Sequence, residues 1–116
     1  MKNLILGAKL LEAFAAQSPE GFTIDKNTLK PITKGFSVAV ADTQNSFNTE
    51  GAAAVVNFAN ANENIKAFGG WYNSDNGLFY YDAVIICNTL EEAVKLGKLN
   101  KQIAIFNLNN MQEITL

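Results

Sequence analysis

Apolar residues repeat at two different spacings along this chain, and each spacing predicts a type of element. Near the N-terminus they fall three or four residues apart, which predicts an amphipathic helix over residues 3–17. Its inward side is expected to consist of Leu4, Ile5, Ala8, Leu11, Phe14 and Ala15. Apolar and small residues alternate over 36–41, which is typical of a strand. A polar loop over 42–48 then leads into a second helix that ends near residue 62, with Thr49 expected to cap its start.

An Asn76-Gly77 pair lies between two strongly apolar segments, which is the pattern of a tight β-hairpin. The hairpin strands are expected at residues 66–72 and 78–86. The end of the second strand is apolar at every position, so it is predicted to be central in the sheet and covered on both faces.

Thr89 and Glu92 form the capping-box pattern, which predicts a third helix to about residue 99, and a last main strand is predicted over 102–106. From residue 36 onward the order of elements is β-α-β-β-α-β, the split β-α-β pattern of ferredoxin-like folds. This order predicts an α+β fold with a four-stranded antiparallel sheet and both helices of the core on one face.

The two ends of the chain are predicted to extend this core. Short alternating segments around polar turns indicate small hairpins over 22–32 and 106–114. We therefore expect one domain over residues 1–116, in which 1–34 form an N-terminal helix and hairpin extension and 35–116 form the core. The alternative is another helix-on-sheet α+β fold, in which the terminal hairpins join the sheet.

Two residue types are absent from the sequence, and their absence narrows the possible chemistry. The chain has no histidine, and all 9 of its basic residues are lysine. Histidine is the usual general base and metal ligand near neutral pH, so Ser-His-Asp and Cys-His arrangements are excluded. The single cysteine, Cys87, excludes an intrachain disulfide and a Cys/His zinc site, and it is expected to be buried and inert. We predict that the protein is not an enzyme and uses no catalytic residues, cofactor or metal.

Net charge and the lengths of the apolar runs indicate which kinds of partner and which cellular location to expect. The net charge is −2 and arginine is absent, so the sequence lacks the usual electrostatic pattern of nucleic-acid binding. No apolar run approaches the roughly 20 residues of a membrane span, so no membrane association is expected. Lys9 and Glu12 interrupt the short apolar segment that resembles a signal peptide at the N-terminus, which favours a cytoplasmic location.

Aromatic residues are concentrated in the predicted hairpin, which makes it the first candidate for a binding surface. Alternation sends Phe79 and Tyr81 to one face of the sheet, and Tyr80 and Asp82 to the other. Trp and Tyr are typical anchors of protein interfaces, so a protein partner is predicted here. The candidate residues are Trp71, Tyr72, Asp75, Tyr80 and Asp82. The alternative is ordinary core and cross-strand packing.

The polar loop before the second helix is the second candidate. A loop that leads from a strand to a helix N-terminus can bind an anion or another ligand. Its candidate residues are Asp42, Gln44, Asn45, Ser46 and Asn48. The same residue types are also those that turns and caps require. The Gly69-Gly70 pair matches no phosphate-binding pattern and is interpreted as a bend or bulge in a strand.

Three parts of the sequence resemble small uncharacterised proteins of bacteriophages and other mobile elements. They are Lys34 to Phe47, Gly69-Gly70-Trp71, and Leu90 to Ala93 leading into Gln102 to Phe106. The resemblance implies no activity and no catalytic residues. It implies a context, because small acidic proteins of this kind often act by docking onto host or viral proteins, including host defence nucleases.

The leading prediction is therefore a non-catalytic protein-binding module, with a phage or mobile-element inhibitor of a host defence protein such as a nuclease as its specific form. The first alternative is a homodimeric structural or virion-associated protein. The second alternative is a small-molecule-binding protein or enzyme that uses Asp42, Ser46 and Asn48.

Overall fold

The computed structural model describes the backbone of residues 4–116 and the side chains of residues 7–116. The helices within these residues are α1 (Leu4–Gln17), α2 (Asn48–Ala61) and α3 (Leu90–Leu99). The strands are β1 (Phe22–Asp25), β2 (Phe36–Ala39), β3 (Ser46–Phe47), β4 (Ala67–Asn73), β5 (Leu78–Cys87), β6 (Ala104–Asn107) and β7 (Gln112–Thr115). A short 3-10 helix, Ala41–Thr43, lies between β2 and β3. The predicted helix start at residue 3 and the side chains of Leu4 and Ile5 lie outside the described residues.

The strands form one antiparallel sheet in the order β1-β4-β5-β2-β6-β7, and β3 also pairs with β5. The predicted α+β class is confirmed, but the sheet is larger than the predicted four strands. The terminal segments join the sheet: β1 extends it beyond β4, and β7 extends it beyond β6 by forming the predicted C-terminal hairpin with that strand. The strand predicted over 29–32 is reduced to a single bridge between Ile24 and Pro31. Edge strands leave backbone groups unpaired, and the added strands satisfy those of β4 and β6.

All three helices pack against the same face of the sheet. Two clusters of buried residues lie between them and the strands. The larger cluster joins α1 and α2 to the sheet through residues such as Leu11, Val55, Ile24, Phe68 and Tyr81. The smaller one joins α3 to the sheet through Ala93, Val38, Cys87 and Ile105. Because side chains alternate along a strand, these sheet residues share one face, and the opposite, helix-free face carries the residues between them.

Gly70 makes room for two aromatic rings on the helix-covered side of β4. The predicted bend or bulge at Gly69-Gly70 is wrong, because strand pairing continues without interruption through both residues. A Cβ atom at Gly70 would overlap the rings of Phe22 and Phe79, which stack across it with centroids 5.9 Å apart. The glycine therefore serves close packing of neighbouring rings.

The predicted helix caps have different outcomes. At α3 the Thr89 hydroxyl accepts a hydrogen bond from the Glu92 backbone N–H, as predicted. At α2 the predicted Thr49 cap is wrong. That helix begins at Asn48, after Phe47 in the cap position, and the Thr49 hydroxyl instead donates to Glu12 of α1 at 2.9 Å. The hydroxyl is used to join two helices, so the first turn of α2 is without a side-chain cap.

Candidate binding surface

One long strand, β5, organises the surface, because β2 and β3 pair with it in succession along the same edge. Between them the chain leaves the ladder as the 3-10 helix Ala41–Thr43. The buried Thr43 side chain fills the gap by accepting a hydrogen bond from the Ala83 backbone N–H at 3.0 Å. A side-chain oxygen thus replaces the missing ladder acceptor and fastens the loop that carries β3 to the centre of the sheet.

This connection brings Phe47 onto the hairpin strands, where three aromatic rings form a row. On the helix-free face Trp71 of β4 is directly opposite Tyr80 of β5, and Phe47 of β3 is opposite Tyr80 on the other side. The rings of Trp71 and Tyr80 stack with centroids 4.9 Å apart, and Phe47 meets Tyr80 edge-on at 5.6 Å. We call these three residues the aromatic strip.

The strip is open to solvent at both ends. Trp71 is 45% exposed and Phe47 is 38% exposed, whereas Tyr80 between them is partly buried. The Tyr80 hydroxyl accepts a hydrogen bond from the Asn76 side-chain amide at 2.8 Å, which ties the ring to the hairpin turn. Cross-strand aromatic pairs stabilise a sheet, so the row is both held in place and accessible.

Asp82 lies beside the strip on the same face, two residues along β5 from Tyr80. Burial raises the pKa of its carboxyl to about 6, and a hydrogen bond from the Trp71 side chain opposes part of this change. Neither cause is a neighbouring lysine, so no positive charge among the described residues offsets the burial of this carboxyl.

The other hairpin candidates do not join the strip. Tyr72 is 51% exposed but belongs to the opposite face, because it pairs with Phe79 while Trp71 pairs with Tyr80. Asp75 is exposed in the hairpin turn, where its backbone N–H donates to the Asn73 side chain.

The candidate loop residues mainly shape the connection to α2. Asn45 and Asn48 adopt positive φ angles of 63° and 60°, a conformation that asparagine tolerates better than most residues. The Ser46 hydroxyl donates to the Thr43 carbonyl at 2.7 Å. Asp42 and Gln44 are exposed. The sequence predicts loop and hairpin as two separate candidates, whereas pairing of β3 with β5 joins them into one surface.

Phe47 and Thr43 are the members of this surface that sequence reasoning missed. The signal for Phe47 is a large aromatic residue in an otherwise polar loop, which has no reason to be there unless it packs against something. Thr43 gives no such signal, because its role depends on a backbone group 40 positions away.

The sequence distributes its charges unevenly around this surface. From residue 35 to residue 94, Lys66 is the only basic residue. The acidic residues in the same range are Asp42, Glu50, Glu63, Asp75, Asp82, Glu91 and Glu92. The segments that build the strip therefore carry carboxylates and no lysine.

Cys87 lies away from this surface, in the smaller buried cluster. Burial raises the pKa of its thiol, and the Glu92 carboxylate raises it further. The thiol is therefore held in its protonated, less reactive form.

Two further results concern the residues that the structure describes. No group of three or more histidine, cysteine or acidic side chains lies together there as a metal site would require. No helix among them has the length and apolar character needed to cross a membrane. Comparison with protein-family models, curated proteins and solved structures finds no match to this chain.

Proposed function

We propose that this chain is a non-catalytic protein-binding module whose binding surface is the aromatic strip. The observation that supports the proposal is the row of Phe47, Tyr80 and Trp71 on the face that the helices leave uncovered. Large apolar rings exposed next to each other on a monomer mark sites of interaction. Trp and Tyr are the residues most enriched among those that carry binding energy in protein interfaces.

The biological role that we propose is inhibition of a host defence protein, such as a nuclease, by a phage or mobile element. The resemblance of three sequence segments to small proteins of such elements supports this role. Lysine is absent from the segments that build the strip, which suits a partner with a positively charged surface. A cytoplasmic location is part of the same proposal.

We also propose that the sheet is an enlarged ferredoxin-like arrangement. The order β4-β5-β2-β6 supports this, because it is the order that two split β-α-β units produce when all neighbouring strands are antiparallel. In this proposal β1, β3, β7 and α1 are additions to the central pattern.

The function is tested by affinity capture from a lysate of cells that carry the gene or host its element. The strip variant combines Trp71→Ala and Tyr80→Ala, and the matched control combines Leu99→Ala and Ile103→Ala at an exposed apolar site elsewhere. A discrete partner is expected to be retained by the wild-type chain and the control and lost by the strip variant. Thermal melting of both variants is the check that each of them folds. Equal capture by both variants would contradict the proposed surface.

A homo-oligomeric structural protein is a second candidate, favoured by a separate exposed apolar site. Leu99 at the end of α3 is 77% exposed, and Ile103 before β6 is 84% exposed. The outer edge of β7 is also without a partner strand within the described chain. Mass measurement in solution separates the two candidates, since a stable oligomer that Leu99→Ala and Ile103→Ala dissociate would favour the second.

A further inference from the structure

We infer that the partner of the aromatic strip presents an arginine, whose guanidinium packs on the outer face of Trp71 and pairs with the Asp82 carboxylate. The inference rests on the proposed function, because it names the chemistry of the partner at the same surface. The indole ring of Trp71 has one free face. Tyr80 covers one of its faces by stacking, and the other face is turned toward the chain before β1.

Gly21 is the residue beside Trp71 on that side. A Cβ atom at Gly21 would meet the backbone of Gly70 and Trp71, and the residue has a positive φ of 107°. A glycine offers no side chain to cover the indole, which agrees with the 45% exposure of Trp71. The outer indole face is thus a flat aromatic surface that a cation can approach.

Asp82 supplies the charge at the edge of this surface. It lies diagonally across the strand pair from Trp71 on the same face, and its carboxylate oxygens have lone pairs for a partner's donors. Directly across the strand pair is Gly69, which has no side chain to compete for the carboxylate. The structure therefore combines an aromatic face and an unneutralised carboxylate within one pair of neighbouring strands.

A guanidinium fits this combination better than an ammonium. It is planar, so it can stack on an indole, and its fork of N–H donors matches a carboxylate. It is also more weakly hydrated than a lysine ammonium, so it loses less on leaving water. A second copy of this chain cannot supply the group, because the sequence contains no arginine.

The charge distribution favours the same kind of partner. Asp42 and Glu50 in the loop and first turn of α2, and Asp75 in the hairpin turn, add negative charge on the segments around the strip. A basic protein surface is attracted to such a region, whereas the phosphates of a nucleic acid are repelled by it.

The test uses short peptides as probes and Trp71 as the reporter, because it is the only tryptophan of the chain. One peptide alternates glycine and arginine, and its matched counterpart has citrulline, a neutral isostere, at each arginine position. At about pH 8, where Asp82 is ionised, the arginine peptide is expected to change Trp71 fluorescence saturably at millimolar concentration. The citrulline peptide is expected to bind at least about tenfold more weakly.

Two variants assign the effect to Asp82. Asp82→Asn keeps the shape of the side chain and removes its charge. This substitution is expected to weaken binding of the arginine peptide by about tenfold. Glu63→Gln is the control, since Glu63 is exposed in the turn before β4, at the other end of that strand from Trp71. It is expected to change the affinity by less than about twofold, the effect of a distant surface charge.

Several results would overturn the inference. They are equal binding of arginine and citrulline peptides, equal binding of a lysine peptide, tighter binding of an oligonucleotide, and unchanged affinity in Asp82→Asn. A fluorescence change that depends on protein concentration alone would show that the surface binds a second copy of this chain. That result would also overturn the inference. If a captured partner needs Trp71 and Tyr80 but tolerates Asp82→Asn, the proposed function stands and the arginine inference fails.

Discussion

At the scale of single residues, Asp82 is the titratable group with the most distinctive environment. Its carboxyl is partly buried on the helix-free face, diagonal to Trp71, and burial raises its pKa to about 6. The neighbouring positions on this face are Gly69 and Trp71 of β4 and Ala39 of β2, none of which is charged.

We expect Trp71 fluorescence to change with pH, with a midpoint near pH 6. Ionisation of Asp82 places a negative charge next to Trp71 on the same face, and no histidine is present to titrate in this range. Asp82→Asn is expected to abolish the change. Asp25 faces the same side from β1, but backbone hydrogen bonds from Thr28 and Asn27 lower its pKa, so it titrates below this window.

The same group makes stability depend on pH. Between about pH 4 and about pH 6 the folded chain holds a proton on Asp82 that the unfolded chain has released, so the free energy of unfolding falls as pH rises. The loss is at most about 3 kcal/mol, and smaller because the carboxyl is partly exposed. Denaturant unfolding of wild type, Asp82→Asn and the exposed control Asp75→Asn measures it. A slope that persists in Asp82→Asn would contradict the assignment.

Side-chain alternation in the hairpin was predictable from the sequence, and partners from other segments were not. The period of two correctly separates Phe79 and Tyr81 from Tyr80 and Asp82. The ring of Phe47 reaches Tyr80 only because β3 pairs with β5, and this pairing joins residues far apart in the chain. Local patterns carry no information about such long-range pairing.

At the scale of elements, the edge of β5 depends on the short 3-10 helix that separates β2 from β3. Thr43 is buried there, and its hydroxyl oxygen is the acceptor for the Ala83 N–H. Without that acceptor a central backbone donor of the sheet would be unpaired away from water.

Thr43→Val is therefore expected to lower the free energy of unfolding by about 1–3 kcal/mol, because it keeps the shape and removes the acceptor. Thr43→Ser keeps the hydroxyl and should lose only about 1 kcal/mol for the missing methyl group. Denaturant titration followed by circular dichroism measures both. A valine variant as stable as the serine variant would show that the hydrogen bond contributes little.

The elements themselves were largely predictable, since helical and strand periods identify α1, α2, α3, β4 and β5 close to their observed bounds. The strands that enlarge the sheet at its two edges were not predictable as part of it. β1 and β7 join the sheet because its edges offer unpaired backbone groups, which depends on how the core strands are arranged. Thr49 has the residue type of a cap, but a carboxylate from α1 binds its hydroxyl instead. A local sequence pattern does not show when a distant residue competes with the nearby backbone for the same side chain.

At the scale of the whole molecule, the two buried clusters share one strand. β5 contributes Tyr81 and Ala83 to the larger cluster and Cys87 to the smaller one, and Ile85 packs against both. The regions covered by α1 and α2 and by α3 are therefore expected to unfold together.

The buried thiol of Cys87 provides the measurement. We expect this thiol to react with a reagent for solvent-exposed thiols only after an opening that costs the same free energy as global unfolding. The reason is that the smaller cluster cannot open without disturbing β5. Global unfolding is measured separately by Trp71 fluorescence in denaturant. A Cys87→Ala chain controls for reagent background. A clearly lower opening free energy at Cys87 would mean that the α3 region opens independently.

The two faces of β4 and β5 have a consequence for how this chain can evolve. Trp71, Tyr80 and Asp82 lie on the helix-free face, and the residues that hold the clusters together alternate with them on the other. Variation at the first set changes the chemistry of the exposed surface, while the second set preserves the fold. If the proposed binding function holds, a few substitutions at the first set can restore binding to a partner whose own surface has changed, and the packing of the core stays as it is.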